Sequence, residues 1–512
     1  MFRSKKAIAL ALAALMAAPL SLTGCKTNKA SPSSSSGSST SSTSTSSAPA
    51  APVTLNIWLA GDAQQGVDRI NKAVDDYLAT KNVNIKVNIS MQGWGDDFNK
   101  KATNMFTSGG SDADILFTAN WVDKYRQNAN AGYFEPLTSY LSTDKGQEIV
   151  KILGQDFLNG SKIGGVNYAL PTNKEKAHDW GFLVRNDLIA KYGVDVKAIE
   201  STATSQGWQA ALTAMEPFFA KAKADNYTPL CIAAFDGPWH FLDWDMVSDD
   251  GIPAAIDDTT NKAIDPFTDS RSVNLYNILY GYAQKGWISK DATNAQGIDA
   301  ELKTGKYFCG VDSLKPGKDK EESNATGVNY TQIDITPVVK SNRETTGAML
   351  AINKQSKHKD AAFQLMYLLY TDKTLVNLIN FGQEGTDYTT GSNGSITTKK
   401  SDYQFAQGWM FGNQFNDLLL STEATSKWDD FQKYNDSAKV LPSLGFMYDD
   451  SKMQTQEASL GTVVGKYYKQ LLAGQVPVSS TVSAMSKELD ASGEKAFLAD
   501  IQTQYDAFIK SK

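Results

Sequence analysis

The feature that most constrains this chain is a change of hydrophobic period between residues 53 and 118. Val53, Leu55, Ile57 and Leu59 alternate as on one face of a strand. Val67, Ile70, Val74, Tyr77 and Leu78 then recur at helical spacing. Val83, Ile85, Val87 and Ile89 alternate again. Phe98, Ala102, Met105 and Phe106 fall on a helix face, and residues 113–118 form a short apolar run. Segments of period 2 and period 3.6 bury their apolar sides together when helices cover a sheet, so the order strand, helix, strand, helix, strand predicts the opening of a doubly wound α/β lobe. Gly61-Asp62 breaks the first strand. Asp62 either caps the following helix or faces the carboxyl edge of the sheet.

The same rhythm restarts after Pro171. Residues 182–184, 229–234, 307–311, 333–339 and 348–352 read as strands. Trp208, Ala211, Leu212, Met215, Phe218 and Phe219 mark a helix, as do residues 273–283 and the set Ala362, Phe363, Met366, Leu369 and Tyr370. Residues 375–380, 453–472 and roughly 482–509 read as further helices. Two α/β lobes are expected, with the chain crossing between them more than once. Residues 51–171 form the first part of lobe 1, 172–345 form lobe 2, and 346–512 return to lobe 1 and end in a helix-rich C-terminal region. Open α/β sheets bind ligands beyond the carboxyl ends of their strands, and a two-lobed version places the ligand in a cleft that a hinge closes.

Residues 1–24 carry Arg3, Lys5 and Lys6 ahead of an uncharged apolar run over 7–20, the pattern of a secretory signal peptide. The run falls short of the ~20 residues of a membrane-spanning helix. It ends in Leu22-Thr23-Gly24-Cys25, which resembles the bacterial lipobox; that resemblance implies cleavage before Cys25 and lipidation of its thiol. An ordinary leader with a chance cysteine is the alternative. Residues 31–50 contain almost only Ser, Thr, Pro, Ala and Gly, so the lipidated Cys and tether over 25–50 have no apolar surface to bury. Loss of the leader removes three cations and no acid, so the formal charge goes from −6 to −9. An acidic body without a basic cluster argues against nucleic acid as a partner. Cys231 and Cys309 sit in apolar strand-like runs and read as buried inert thiols, with a disulfide as the other possibility in an oxidising compartment.

Several chemistries lack their signatures. There is no G-x-S-x-G elbow, no H-E-x-x-H and no phosphate-cradling G-x-x-x-x-G-K-[ST] loop, and the three histidines, His178, His240 and His358, are widely separated. No cofactor, no catalytic residue and no metal ligand is therefore assigned. A glycoside hydrolase would need two placed carboxylates, for which Asp243, Asp245, Asp249 and Asp250 lie near aromatics. Asp243, Asp245 and Asp249 also offer oxygen ligands to calcium, without the order of an EF-hand loop; a solvated acidic loop is the plainer reading.

The lipobox, the tether and the opening strand over 54–60 resemble extracellular solute-binding proteins of carbohydrate ABC importers. Further segments carry the resemblance: Met91-Gln92-Gly93-Trp94-Gly95-Asp96, Asp114-Ile115-Leu116-Phe117-Thr118-Ala119-Asn120-Trp121, Tyr168-Ala169-Leu170-Pro171 with Trp180-Gly181-Phe182, Asn380-Phe381-Gly382-Gln383-Glu384-Gly385-Thr386-Asp387-Tyr388 and Leu444-Gly445-Phe446-Met447-Tyr448. Together they are similar to the lipoprotein A subgroup, with a DUF3502-type C-terminal domain. The resemblance implies a two-lobed periplasmic-binding-protein-like fold with a hinge and an interlobe cleft, an oligosaccharide ligand and the permease subunits of an ABC importer as partners. It also implies a monomer anchored by lipid to the outer face of the cytoplasmic membrane of a Gram-positive bacterium. A lipid-anchored glycoside hydrolase or a carbohydrate-binding adhesin is the alternative.

A sugar ring presents a C–H face, which aromatic planes cover, and a hydroxyl edge, which carboxylates and amides hydrogen-bond; polar groups left unmatched are costly, which makes such sites selective. Aromatics beside polar groups at strand ends are therefore the candidates. Trp121 beside Asn120 leads, and the resemblance also implies a ligand-facing aromatic near it. Asp62, Trp94 and Asp96 follow the first two strands, and Asn173 and Glu175 follow Pro171. Trp239, in the run Phe235-Asp236-Gly237-Pro238-Trp239-His240, and Trp244 follow the Cys231 strand; Asp312 follows the Cys309 strand, and Glu384 follows a helix. For each, packing, capping or turn formation is the alternative role. Trp180, Tyr467 and Tyr468 read as packing residues.

Overall fold

The computed structural model describes residues 51–512 except 234–236, 243, 248–250 and 296. The signal and tether readings, including Cys25, and the readings of Asp243, Asp249 and Asp250 lie outside the described residues.

The opening rhythm is realised as β1 (Val53–Leu59), α1 (Val67–Thr80), β2 (Ile85–Met91), α2 (Gly95–Thr107) and β3 (Ile115–Thr118), followed by a short α3 (Tyr125–Asn130). β1 pairs in parallel with both β2 and β3. The alternating residues Leu55, Ile57 and Leu59 of β1 are buried, as are Ile85, Val87, Ile89 and Met91 of β2. β2 is an edge strand, and α1 closes that edge with its side chains. Asn71 Oδ1 accepts from the Ile89 amide at 2.9 Å, and Asp75 Oδ1 accepts from the Val87 amide at 2.7 Å. Edge amides that would otherwise stay unpaired are thereby satisfied. Asp62 does not cap α1: the helix starts at Val67, with Gly66 as its N-cap.

Two later strands complete the first sheet, β4 (Ala169–Pro171) and, after a long excursion, Met349–Ile352, which is fully buried because it lies inside the sheet. The excursion builds the second sheet from β5 (Asp179–Arg185), β6 (Thr228–Cys231), β8 (Tyr307–Leu314) and β9 (Tyr330–Asp334), in the order β9-β5-β8-β6. Between β6 and β8 lie β7 (Trp244–Met246) and the helix Ser270–Gln284. α4 (Asn342–Thr345) then leads back to the first sheet, whose strand Met349–Ile352 becomes β10.

Each sheet has its own apolar core. One core contains Leu55 to Leu170 and Ala348 to Phe411, and the other contains Trp180 to Ile335 and Phe446 to Tyr505. The chain thus passes between the lobes near residues 171–180, 335–348 and 411–446. The C-terminal helices α5 (Gln454–Leu472), α6 (Val478–Ala491) and α7 (Glu494–Ser511) pack on the second core through Leu460, Val464, Met485, Leu489, Phe497 and Ile501. Tyr468 is packed there too and is fully buried.

Four details depart from the sequence reading. Residues 346–512 do not return to lobe 1 as a whole, because the apolar faces from Phe446 to Tyr505 are buried in the second core. The helix expected over 482–509 is two helices, broken where Gly493 takes φ 92°, a left-handed conformation that favours glycine. The strand expected over 333–339 ends at Asp334; Pro337 cannot donate to a ladder, and Val339–Lys340 pairs separately with Lys439–Val440. Cys231 and Cys309 occupy adjacent strands in offset register and are buried thiols with no disulfide between them.

Gly181 leaves less room for a side chain than Gly310, the other glycine in the strands of the second sheet. A Cβ there would stand 2.1 Å from the Ile333 carbonyl oxygen and 2.5 Å from Leu314 Cδ1. Gly181→Ala is expected to lower the unfolding free energy by about 2 kcal/mol, read from the urea midpoint, because a backbone carbonyl has no rotamer with which to yield. A midpoint equal to wild type would show that β5 and β9 separate freely.

Candidate functional site

The carboxyl ends of β1 and β2 are tied by reciprocal backbone hydrogen bonds between Gly61 and Gly93, 3.1 and 3.0 Å long. This places Trp94, the extended residue that precedes α2, at the edge of the sheet. The turn after β3 carries Trp121, whose indole N–H donates to the Gly347 carbonyl at 2.8 Å. Trp409 completes a shelf: its ring stacks on Trp94 (6.5 Å, 15°) and lies 6.1 Å from Trp121, with Phe117 below at 5.9 Å from both Trp121 and Trp409. Trp94 and Trp121 are 38% and 43% exposed and are among the few exposed large apolar side chains of the described residues. Such residues gathered at a sheet edge mark a contact surface.

Beyond Trp121, Asp123 (φ 56°) and Lys124 (φ 40°) are consecutive left-handed residues without being glycines. They turn the chain sharply into α3, so that Tyr125 and Arg126 line a cavity of about 330 Å³. Asn120 also lines it and is held by its amide to the Thr346 carbonyl at 2.9 Å. The shelf and the cavity therefore meet at the Asn120-Trp121 turn.

The second lobe supplies most of the cavity wall. Trp180, at the start of β5, stacks on His240 with ring centroids 3.8 Å apart and planes at 7°. The Arg343 guanidinium lies 5.1 Å from the Trp180 ring centroid, a cation–π contact. His178 Nδ1 pairs with the Glu344 carboxylate. Burial pushes that carboxyl up, but His178 and the Ser341 backbone outweigh burial and hold it below its usual range. Trp239 and Trp244 lie in the same wall. Trp239 is nearly buried, with its N–H donated to Ser272 Oγ at 3.1 Å, whereas Trp244 is half-buried under the Arg271 guanidinium at 4.8 Å.

Asp245, beside Trp244, is buried and accepts from Ser443 Oγ at 2.6 Å. Burial pushes its carboxyl up to about 7. A folded-state pKa above the unfolded value means that the native protein binds the extra proton, so this group's contribution falls as pH rises from about 4 to about 7. Asp245→Asn removes that dependence. Relative to wild type, the variant is expected to gain about 2 kcal/mol of unfolding free energy between pH 4 and pH 8, about half of the full shift because the effective dielectric at buried sites is well above that of dry protein. Urea titrations at both pH values measure it, and an equal difference at both would show that Asp245 titrates normally.

The other expected residues do not line the cavity. Asp62 and Asp96 are exposed, Asp96 in the first turn of α2. Asn173 and Glu175 are buried in the crossing segment: Asn173 Nδ2 donates to Asn413 Oδ1 at 2.7 Å, and Glu175 is engaged by Lys174 and Lys315. Asp312 pairs with Lys318 at 2.8 Å and shares that ammonium with Glu322. Asp299, Asp312 and Glu322 bring carboxylate oxygens together, but the Lys318 ammonium already lies between two of them. Glu384 is exposed in a turn, bridged to Tyr388. Trp94 and Trp121 are thus brought together on the shelf, and Trp239 and Trp244 in the cavity wall.

Sequence reasoning passed over Trp180, His240 and Arg343 as cavity residues, and Trp409 on the shelf. Trp180 is 5% exposed and belongs to the core as expected, yet its ring also forms the cavity wall. The run ending in His240 held the available signal, an aromatic-rich loop following a strand.

Residues 63–375 match the family described as bacterial extracellular solute-binding protein, and residues 442–510 match a domain of unknown function, DUF3502. A carbohydrate ABC transporter substrate-binding protein of Streptococcus pneumoniae is 26% identical over 472 residues, covering 90% of this chain and 91% of that protein. The crystal structure of the N-glycan transport solute binding protein NgtS from Streptococcus pneumoniae superposes with a TM-score of 0.77 at 23% identity, covering 90% of this chain and 99% of that one. Its complex with Man5GlcNAc gives 0.75 at the same identity and coverage. The likeness extends the two-lobed architecture over nearly the whole body. The chain belongs to the family of bacterial extracellular solute-binding proteins.

Proposed function

We propose that this protein captures oligosaccharides outside the cytoplasmic membrane and delivers them to an ABC importer, the two lobes closing on the sugar. The observation that carries this reading is the junction of a three-tryptophan shelf, Trp94, Trp121 and Trp409, with a cavity whose wall includes the Trp180–His240 stack. Flat rings on the shelf and in the cavity cover C–H faces, while Asn120 and Arg343 offer hydrogen bonds to hydroxyls. A sugar that touches both lobes shifts the population toward the closed form by its differential affinity. The names of the similar proteins support the substrate class: one is a carbohydrate transporter component, and NgtS was crystallised with Man5GlcNAc and with Man1GlcNAc.

The leader, Cys25 and the tether support a protein held to the membrane by lipid, its body free to reach the permease. No helix of the described residues is long and apolar enough to cross a membrane. The reading is one of binding rather than catalysis. Calorimetry of the purified protein against mannose- and N-acetylglucosamine-containing oligosaccharides, with mass spectrometry of the mixtures, tests it. Saturable binding with the sugars recovered intact is the expected result. Shorter products would make the protein a hydrolase, and no heat across the panel would remove the proposal.

A further inference from the structure

Arg126 lies on α3, whose neighbours Tyr125 and Ala129 are part of the first core. Its guanidinium nevertheless forms ion pairs with Asp450 and Glu457, both carried by the C-terminal segment that packs on the second core. The three side chains are 4%, 2% and 7% exposed. Asn130, one turn further along α3, donates to Asp450 Oδ1 at 2.8 Å. Glu457 stands in the first turn of α5, which continues into Leu460, Val463 and Val464 of the second core. Through this helix, the hold on Arg126 reaches directly into the second core.

The same segment also grips the cavity wall. Ser443 Oγ donates to Asp245 on β7 at 2.6 Å. The Asn342 side chain of α4 donates to the carbonyls of Ser443 and Phe446 and accepts from the Gly445 amide at 2.8 Å. The next residue on α4 is Arg343, which lies over Trp180. Arg126, Asp245, Asn342 and Met447 all line the cavity.

We propose that residues 442–457, the start of the domain of unknown function, form an interlobe latch: Asp450 and Glu457 capture Arg126 of the first lobe while Ser443, Gly445 and Phe446 hold the wall of the second. Arginine suits this task because its rigid fork can serve two carboxylates at once. A buried triad of this kind adds little net stability over apolar side chains of the same volume, so its value lies in selecting one arrangement of the lobes. The latch goes beyond the proposed function, since it acts on the empty protein as well as on the loaded one.

The test removes all three charges together, so that no buried charge is left uncompensated: Arg126→Met with Asp450→Asn and Glu457→Gln. Small-angle X-ray scattering of the ligand-free protein is expected to give a larger radius of gyration than wild type, with the urea midpoint retained. Man5GlcNAc is the probe for affinity, expected to fall roughly tenfold as the closed population drops. Arg126→Lys keeps the charge and loses the fork; it is expected to fall between the two. A triple variant, or in its place an Arg126→Lys variant should the triple fail to fold, with the scattering curve of wild type would overturn the latch. The scattering needs no sugar, so a protein that bound no oligosaccharide would refute the proposed function and leave this result standing.

Discussion

Trp121→Ala is expected to weaken oligosaccharide binding by about 10- to 100-fold, or ~1–3 kcal/mol, and to leave the thermal midpoint within a degree or two of wild type. The size follows from stacking on an aromatic ring, worth roughly that much per ring in comparable flat ligands. The separation of affinity from stability follows from the position of the residue. Trp121 is 43% exposed, its indole N–H bonds to the Gly347 carbonyl at 2.8 Å, and its ring neighbours Phe117 and Trp409 support each other without it. Trp121→Phe keeps a flat face and is expected to retain most of the affinity. Calorimetry and differential scanning fluorimetry on both variants separate the cases. Unchanged affinity would remove Trp121 from the site, and a midpoint lowered by many degrees would make it a packing residue.

The parts of this molecule that could be read from sequence are those in which a local period decides the outcome. Leu55, Ile57 and Leu59 alternate and are buried; Ile70, Val74 and Leu78 recur at helical spacing and face β2. Trp94 and Trp121 were legible for the same reason: each follows the end of a strand, and strand ends in such sheets converge on one edge. What stayed hidden depends on contacts between distant segments. The partner that makes Trp180 a cavity wall is His240, sixty residues away, and the cation above it is Arg343. Trp409 comes from a stretch of short turns with no period to follow. Glu175 follows a proline at a lobe crossing, where a sequence cannot tell whether a carboxylate meets a sugar or a lysine brought in from residue 315.

Glu175 is expected to hold the crossing together rather than to bind ligand. Its carboxylate pairs with Lys174 and with Lys315 at 3.4 Å; Lys315 pairs with Glu321 at 3.0 Å, and Lys427 joins Glu321 at 3.2 Å and Glu423 at 2.6 Å. Burial pushes the Glu175 carboxyl up, but Lys174 and Lys315 outweigh it and hold the group below its usual range, so it stays ionised. Glu175→Ala leaves two largely buried ammonium groups short of their counter-charge, which in such sites costs about 3–5 kcal/mol. The pH dependence has a definite sign. A depressed folded-state pKa contributes stability that is complete above the unfolded value, near 4.3, and disappears as pH falls through the folded one. The variant is therefore expected to unfold at a markedly lower urea concentration at pH 7, to approach wild type as the pH drops below 4, and to bind oligosaccharide with unchanged affinity while folded. A loss of affinity with stability intact would put Glu175 back in the binding site and make the lysine network secondary to it.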